Sequence, residues 1–371
     1  MKKFRIVADD KIPFLKESPL AELTDLLFLP GAAISRRDLM HADALITRTR
    51  TKCNAALLDG TPVRMIATAT IGFDHIDREY CAEKGIRWNN APGCNADSVA
   101  QYLTSLLVVH AEKTGTALAG KTIGIVGVGN VGSRVAKVAQ ILGLHVLLND
   151  PPRQKAENNN LFVPLEQIQR EADFISFHVP LQKQGEFRTE ALADENFFRN
   201  LRRAPFLINS SRGEVVCGEA LKDALRKGAV SGAALDVWEH EPDIDRDLMN
   251  LLEFATPHIA GYSADGKANG TAACVRNIAN FFGLDAAENW YPKVPDPVNR
   301  AVPADSLFSA VTAAYDIRND DRRLRESPEN FEKLRGSYPL RREFPAFLVK
   351  KEGRNNTILP ILKQLNFQLE E

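Results

Sequence analysis

Long apolar runs are missing from this 371-residue sequence: no stretch reaches ~18 apolar residues, so nothing reads as a membrane-spanning helix. An excess of one charge is missing too. With 47 Lys and Arg against 48 Asp and Glu, the chain has no basic surplus of the kind that nucleic acid or an anionic membrane attracts, and any anion must be held by a local cluster. Cysteine is sparse. Cys53, Cys81, Cys94, Cys217 and Cys274 form no CxxC pair and have no histidines at metal spacing, so neither a disulfide framework nor a metal site is indicated. The opening MKKFRIVADD meets two aspartates before any signal-peptide core, and a cytoplasmic protein is the expectation.

What the sequence has in plenty is alternation. Its length exceeds the ~250–300 residues at which one hydrophobic core stops growing, which predicts two or three domains. Short apolar runs (FRIVAD, ADALITR, VRMIATAT) alternate with helical stretches over the first hundred residues. After a Pro92-Gly93 turn comes the long helical stretch NADSVAQYLTSLLVVHAEKTG, long enough to bridge two domains. From Gly120 the rhythm repeats: TIGIV, HVLLND, DFISFHVP, PFLINSS, GAALDVW and FATPHIAG, each followed by a helical segment. Strands alternating with helices predict an α/β fold with a doubly wound parallel sheet of the Rossmann type. Beyond Trp290, YPKVPDPVNRAVP reads as a linker, and the arginine-rich remainder as a third, small unit from about residue 290.

GVGNVG, from Gly127 to Gly132, follows the strand TIGIV, opens a helix, and is followed by a second strand ending in Asp150, close to the ~20-residue spacing of a dinucleotide fingerprint. Gly127 makes the tight turn, Gly129 lets backbone N–H groups approach a pyrophosphate, and Gly132 lets the helix pack on the strand. Asp150 would accept from a ribose diol and repel a 2′-phosphate, favouring NAD over NADP, although nearby Arg153 weighs the other way.

Three further strand ends carry unexpected polar residues: Arg212 in NSSRG, Glu241 in LDVWEHEP and His258 in TPHIAGY. Ligands of doubly wound sheets gather outside the carboxyl ends of the strands, so the three can converge. Oxidation of a 2-hydroxy acid needs a cation for the carboxylate and a base for the hydroxyl proton. Arg212 offers a bidentate fork. His258 offers an imidazole, which ordinarily changes charge near pH ~6.5, and Glu241 would orient it. In ITRTRTK, Arg48, Arg50 and Lys52 alternate with Thr49 and Thr51; if the segment is extended, the cations share one face and form either a phosphate site or a solvated basic edge.

GVGNVG, INSSRGEVV, LDVWEHEP and TPHIAGYSADGKANGT, in that order, resemble the D-isomer-specific 2-hydroxyacid dehydrogenases over residues 1 to about 285. The resemblance implies that Arg212 binds the substrate carboxylate, that His258 is the acid/base with Glu241 as its partner, and that NAD is the cofactor. It marks Asn130, Val131, Val179, Ser210, Ser211, Asp236 and Gly261 as cofactor neighbours, Asp236 on the nicotinamide side. Val179, in HVP where many relatives have His-Thr-Pro, can offer only its backbone.

IATATIGFDHID, NNAPGCNADSVAQYL, LLNDPPR and a tail with YDIRNDD and RREF narrow the resemblance to the branch acting on 4-phospho-D-erythronate in pyridoxal phosphate biosynthesis. That implies substrate contacts at Thr49, Thr70 and Tyr262 beside Arg48 and Arg50. It also implies a flavodoxin-like substrate domain, 1–95, completed by about 259–289; a Rossmann domain, 96–258; and a C-terminal α+β dimerisation domain, 290–371, making a homodimer. Arg341 and Arg342 are weaker phosphate candidates. Two other readings stay open: a phosphoglycerate or glyoxylate dehydrogenase, which would lack this tail, and an NAD-binding corepressor, which would need a peptide groove.

Overall fold

The computed structural model describes residues 3–350 and 355–370. Five parallel strands, β1 (Arg5–Asp9), β2 (Asp25–Leu29), β3 (Ala44–Thr47), β4 (Met65–Thr68) and β5 (Arg87–Asn89), form a sheet in the order β2-β1-β3-β4-β5. This is the flavodoxin-like order. β3 and β4 are buried along their whole length and β1 along nearly all of it, because central parallel strands are covered on both faces. The edge strands β2 and β5 are half exposed, and the sequence pattern did not announce them. The helix Ala264–Phe282 covers one face, packing Cys274, Val275 and Ile278 with Ile6, Ile46 and Met65. Gly270 permits the contact, since a Cβ there would lie 2.6 Å from the Ala69 carbonyl oxygen. Residues up to Asn95 and Ser263–Pro295 thus make one compact unit.

The second unit is built on six parallel strands, β6 (Thr122–Val126), β7 (His145–Asn149), β8 (Phe174–Phe177), β9 (Phe206–Asn209), β10 (Gly232–Leu235) and β11 (Phe254–Ala255), in the order β11-β10-β9-β8-β6-β7. Phe162 makes one parallel bridge to Leu148 outside β7, so the outer strand of the 3-2-1-4-5-6 dinucleotide-binding order is reduced to a single pair. The helix Ala96–Thr114 is buried continuously from Ser98 to His110, polar positions included: Ser98 donates to Glu343, Gln101 to the Arg342 carbonyl and Ser105 to the Tyr315 carbonyl.

Residues expected as a separate third domain carry a sheet of their own, β12 (Ala301–Val302), β13 (Leu348–Val349) and β14 (Gln368–Leu369), with helices Leu307–Ala314 and Ile317–Glu326. Strands of two residues cannot close a core by themselves. Val302, Val311, Phe344, Leu362 and Phe367 instead join the cluster that holds Leu103, Leu107, Ile125 and Val135. Ala96–Tyr262 and Asp296–Glu371 are therefore one compact unit, whose first part runs past the last strand of the sheet to Tyr262. Among the described residues, no helix is long and apolar enough to cross a membrane, and no group of three or more His, Cys, Asp or Glu could hold a metal ion.

Candidate active site

The glycine loop leaves β6 with Gly127 in the left-handed region, φ +88°, packed so closely that a Cβ would meet the His178 carbonyl oxygen at 2.7 Å. A Cβ on Gly132 would lie 1.9 Å from the Gly127 carbonyl oxygen, so helix and strand meet only through glycine here. Gly129 differs. A Cβ there would find nothing within 4 Å, and Gly129 is the N-cap of the helix Asn130–Ile141 with no side-chain cap. Open space over uncapped helix N–H groups suits a dinucleotide pyrophosphate.

Asp150 stands at the end of β7 as expected, but its carboxylate is partly engaged. Oδ2 accepts from the Val128 N–H at 2.8 Å and Oδ1 from the Arg153 N–H at 3.1 Å, tying the glycine loop to the next helix. Arg153 forks onto Glu157 at 2.6 and 3.0 Å. After β8, Val179 lies against Gly127, and burial pushes the His178 imidazole down to about 3, which keeps it neutral.

The three polar strand ends are neighbours because β9, β10 and β11 are consecutive in the sheet. Arg212 follows β9 in extended backbone, with Nη1 donating to the Ser211 carbonyl at 2.8 Å. Ser211 turns inward and donates its hydroxyl to Asn209 Oδ1 at 2.8 Å, whereas the buried Ser210 hydroxyl has no hydrogen-bond partner among the described residues. Gly213 lets the arginine loop pass the β10 loop, since a Cβ there would come 2.0 Å from the Trp238 carbonyl carbon.

His258 follows β11 with φ +56°, a conformation non-glycine residues rarely adopt, and it is held there from below. Asp236, buried at the end of β10, accepts from the Ile259 N–H at 2.8 Å, the Ala260 N–H at 2.9 Å and the Thr256 hydroxyl at 2.7 Å. Burial raises the Asp236 carboxyl above its ordinary range, against the opposing pull of His258 and these donors. Its two oxygens brace the His258 loop, a role the sequence did not disclose. His258 Nδ1 meets Glu241 Oε2 at 2.8 Å, and Glu241 Oε1 accepts from the Trp238 N–H at 3.0 Å. Burial opposes ionisation of Glu241, yet the hydrogen bond and charge of His258, the Trp238 N–H and the Arg335 cation hold the acid below its usual range.

Tyr262, after Gly261 on the same loop, accepts at its hydroxyl from Arg335 Nη2 at 3.2 Å. Arg341 is buried, donating to the Ala260 carbonyl at 2.5 Å with its guanidinium 4.5 Å from the Tyr315 ring centroid. Set among carbonyls and rings, it fastens the His258 loop and leaves no opening for a phosphate; Arg342 gives its carbonyl to the Gln101 side chain at 2.9 Å. The sequence held no sign of Arg335 beyond the arginine-rich texture of the tail.

In the first unit the candidate substrate residues sit at the carboxyl ends of two adjacent strands, Arg48, Thr49 and Arg50 after β3 and Thr70 after β4. The condition that ITRTRTK be extended is not met. β3 stops at Thr47 and the chain turns, Thr51 N–H returning to the Arg48 carbonyl at 3.4 Å, so Arg48, Arg50 and Lys52 do not alternate on a strand face. Arg48 donates to the Lys11 carbonyl at 3.0 Å, while Thr49 and Arg50 are exposed. Thr70 shares a hydrogen bond with Thr68 at 2.8 Å and donates to the Gly72 carbonyl.

Residues 98–260 match the profile of the D-isomer specific 2-hydroxyacid dehydrogenase NAD binding domain, and residues 297–365 that of a domain of unknown function, DUF3410. The chain is 51% identical to the erythronate-4-phosphate dehydrogenase of Bacteroides thetaiotaomicron over 92% of its own length and 98% of that protein's. It is 43% identical to the protein of that name from Porphyromonas gingivalis, over 98% and 99% respectively. Among solved structures, Aquifex aeolicus D-lactate dehydrogenase with NAD and lactic acid is similar with a TM-score of 0.62 and 26% identity, covering 79% of this chain and 100% of that one. Entamoeba histolytica 3-phosphoglycerate dehydrogenase with bound NAD+, 24% identical over the same 79% and 100%, shares the fold with a TM-score of 0.65.

Proposed function

The chain belongs to the erythronate-4-phosphate dehydrogenases, within the D-isomer specific 2-hydroxyacid dehydrogenases, and we propose from this that it oxidises 4-phospho-D-erythronate at C2 to 2-oxo-3-hydroxy-4-phosphobutanoate, a step toward pyridoxal 5′-phosphate. It is an NAD-dependent oxidoreductase. The observation that carries the reading is the whole-length likeness, tail included, which a phosphoglycerate or glyoxylate dehydrogenase of the shorter kind or a corepressor would not give.

The chemistry asks little of the protein beyond placing charge. NAD, when bound, takes the hydride from C2. Gly129, Asn130, Val131 and the uncapped helix behind them would hold its pyrophosphate, Asp150 its ribose, and Ser210, with its unmatched hydroxyl, another of its polar groups. Arg212 would hold the substrate carboxylate through its fork. His258 would take the C2 hydroxyl proton on the ring nitrogen that faces away from Glu241, and the imidazolium so formed is stabilised by the carboxylate at 2.8 Å.

The same reading gives the C4 phosphate to Arg48 and Arg50, with Thr49, Thr70 and Tyr262 as further contacts, and sets the protein in the cytoplasm. It also makes the protein a homodimer through its C-terminal segment, where Val298 is 96% exposed and Leu340 49% exposed. The test is NADH formation by the purified protein with 4-phospho-D-erythronate and, separately, with 3-phosphoglycerate. A preference for 3-phosphoglycerate overturns the substrate, and no turnover of either overturns the activity.

A further inference from the structure

Arg335, on the helix Phe331–Gly336, lies among the proposed catalytic residues without belonging to any motif that announces them. Its Nη1 is 3.9 Å from Glu241 Oε2, the same oxygen that receives His258 Nδ1, and 3.2 Å from Glu332 Oε1. Its Nη2 donates to the Tyr262 hydroxyl at 3.2 Å. The guanidinium lies 5.8 Å from the Tyr262 ring centroid and 5.9 Å from that of Phe331. The side chain is 17% exposed, so these charges meet in a partly desolvated place where they count for more than on an open surface.

We propose that Arg335 is a positioning residue for the catalytic pair: one guanidinium tethers Glu241 and Tyr262 and sets how strongly Glu241 favours the protonated form of His258. The proposal rests on the reading of Glu241 and His258 as the acid-base pair. The charged and titratable groups around that pair include Asp236 below the loop, Arg341 on the loop's carbonyls, Arg335 and Glu332 on their helix, Tyr262, Tyr338 edge-on to Tyr262, His240 next to Glu241 in the chain, and Arg212 at the end of the neighbouring strand. Of these, Arg335 is the cation in contact with Glu241 Oε2. It draws on carboxylate charge that would otherwise act on the imidazole alone, and as a like charge it disfavours the imidazolium directly. The neutral imidazole is the form that takes a proton, so Arg335 keeps the base ready at lower pH.

The test is the pH profile of kcat/KM for oxidation in Arg335→Gln, Arg335→Lys and Glu332→Gln, with His258→Asn as the control. In Arg335→Gln the acid limb moves up by roughly half a pH unit and kcat falls roughly tenfold. Arg335→Lys, which keeps the charge and loses the fork, returns the limb to its wild-type place with kcat partly restored. Glu332→Gln, which removes a half-exposed anion paired with Arg335, moves the limb down. Activity scaled evenly across pH in Arg335→Gln means a merely structural role and overturns the proposal. Should that variant not fold, Arg335→Lys and Glu332→Gln decide: an unmoved limb in Glu332→Gln overturns it equally. A wild-type acid limb in His258→Asn removes the pair itself, which distinguishes failure of the reading from failure of Arg335.

Discussion

His258 Nδ1 stands 2.8 Å from Glu241 Oε2, and the acid is fixed in turn by the Trp238 N–H on its other oxygen. The imidazole can therefore turn neither its tautomer nor its plane without breaking a bond to a carboxylate that is itself unable to follow. Glu241→Gln keeps the shape and loses the charge. Its kcat should fall at least about a hundredfold, the low end of what a positioned acid-base group contributes, with NAD affinity unchanged. Turnover within a few-fold of wild type would remove Glu241 from the chemistry.

The same substitution has a signature in stability. The folded protein holds Glu241 below its ordinary range, because burial is outweighed by His258, Trp238 and Arg335. A depressed folded value means stability that is present above the unfolded value of ~4.3 and lost as pH falls through the folded one. Urea unfolding of wild type and Glu241→Gln should thus differ near pH ~7, and the gap should narrow as the pH falls below ~4.3. A gap that stays the same size as the pH falls contradicts the shift.

Arg212→Lys keeps the charge and removes the planar fork. Hydrogen bonds to charged groups contribute about 1.5 to 3 kcal/mol, so kcat/KM should drop roughly ten- to a hundredfold. Near-wild-type kinetics would send the substrate carboxylate elsewhere.

Asp150→Ala removes both the proposed diol acceptor and the anchor of the Val128 N–H. NAD should bind roughly tenfold more weakly while discrimination against NADP narrows. Arg153 remains forked onto Glu157, which limits the gain for NADP until Glu157 is also replaced. Unchanged selectivity between the two cofactors in calorimetric titration argues against the role.

Replacing Arg48 and Arg50 together by alanine should raise KM for 4-phospho-D-erythronate roughly ten- to a hundredfold, and far less for unphosphorylated erythronate. Equal losses on both substrates would mean the arginines serve the fold, as the Arg48 bond to the Lys11 carbonyl already does in part.

Ending the chain at Pro295 should cost the second unit its cooperative thermal transition rather than merely separate two subunits. The deletion uncovers Leu103 and Leu107 by removing Val302, Val311, Phe344, Leu362 and Phe367 from their cluster. A transition within ~5 °C of the full chain, followed by circular dichroism, would refute this.

The fold of the two sheets was legible because central parallel strands are covered on both faces, and β3, β4, β8 and β9 are accordingly mostly apolar. β5 was not legible, since RWN is short and polar at both ends, and β2, though mostly apolar as DLLFL, follows the helical run LAEL after Thr24 alone, with no turn signal to set it apart. GVGNVG and the Arg212, Glu241 and His258 strand ends were legible from local spacing. Asp236, Arg335 and Arg341 carry support that comes from far along the chain, and only the packing of the tail on the His258 loop brings the two arginines there. The turn after Thr47 was hidden for a related reason: alternating Arg and Thr describe a strand equally well until the sheet ends.

The core around helix Ala96–Thr114 has a consequence for how the chain is made. Its apolar surface leaves the ribosome long before Leu362 and Phe367, which complete its cover. At ~5–20 residues per second that interval is on the order of ten to fifty seconds. The first sheet waits likewise for the returning helix Ala264–Phe282. Neither unit can finish as it emerges, and the nascent chain must carry a partly covered helix through most of its synthesis.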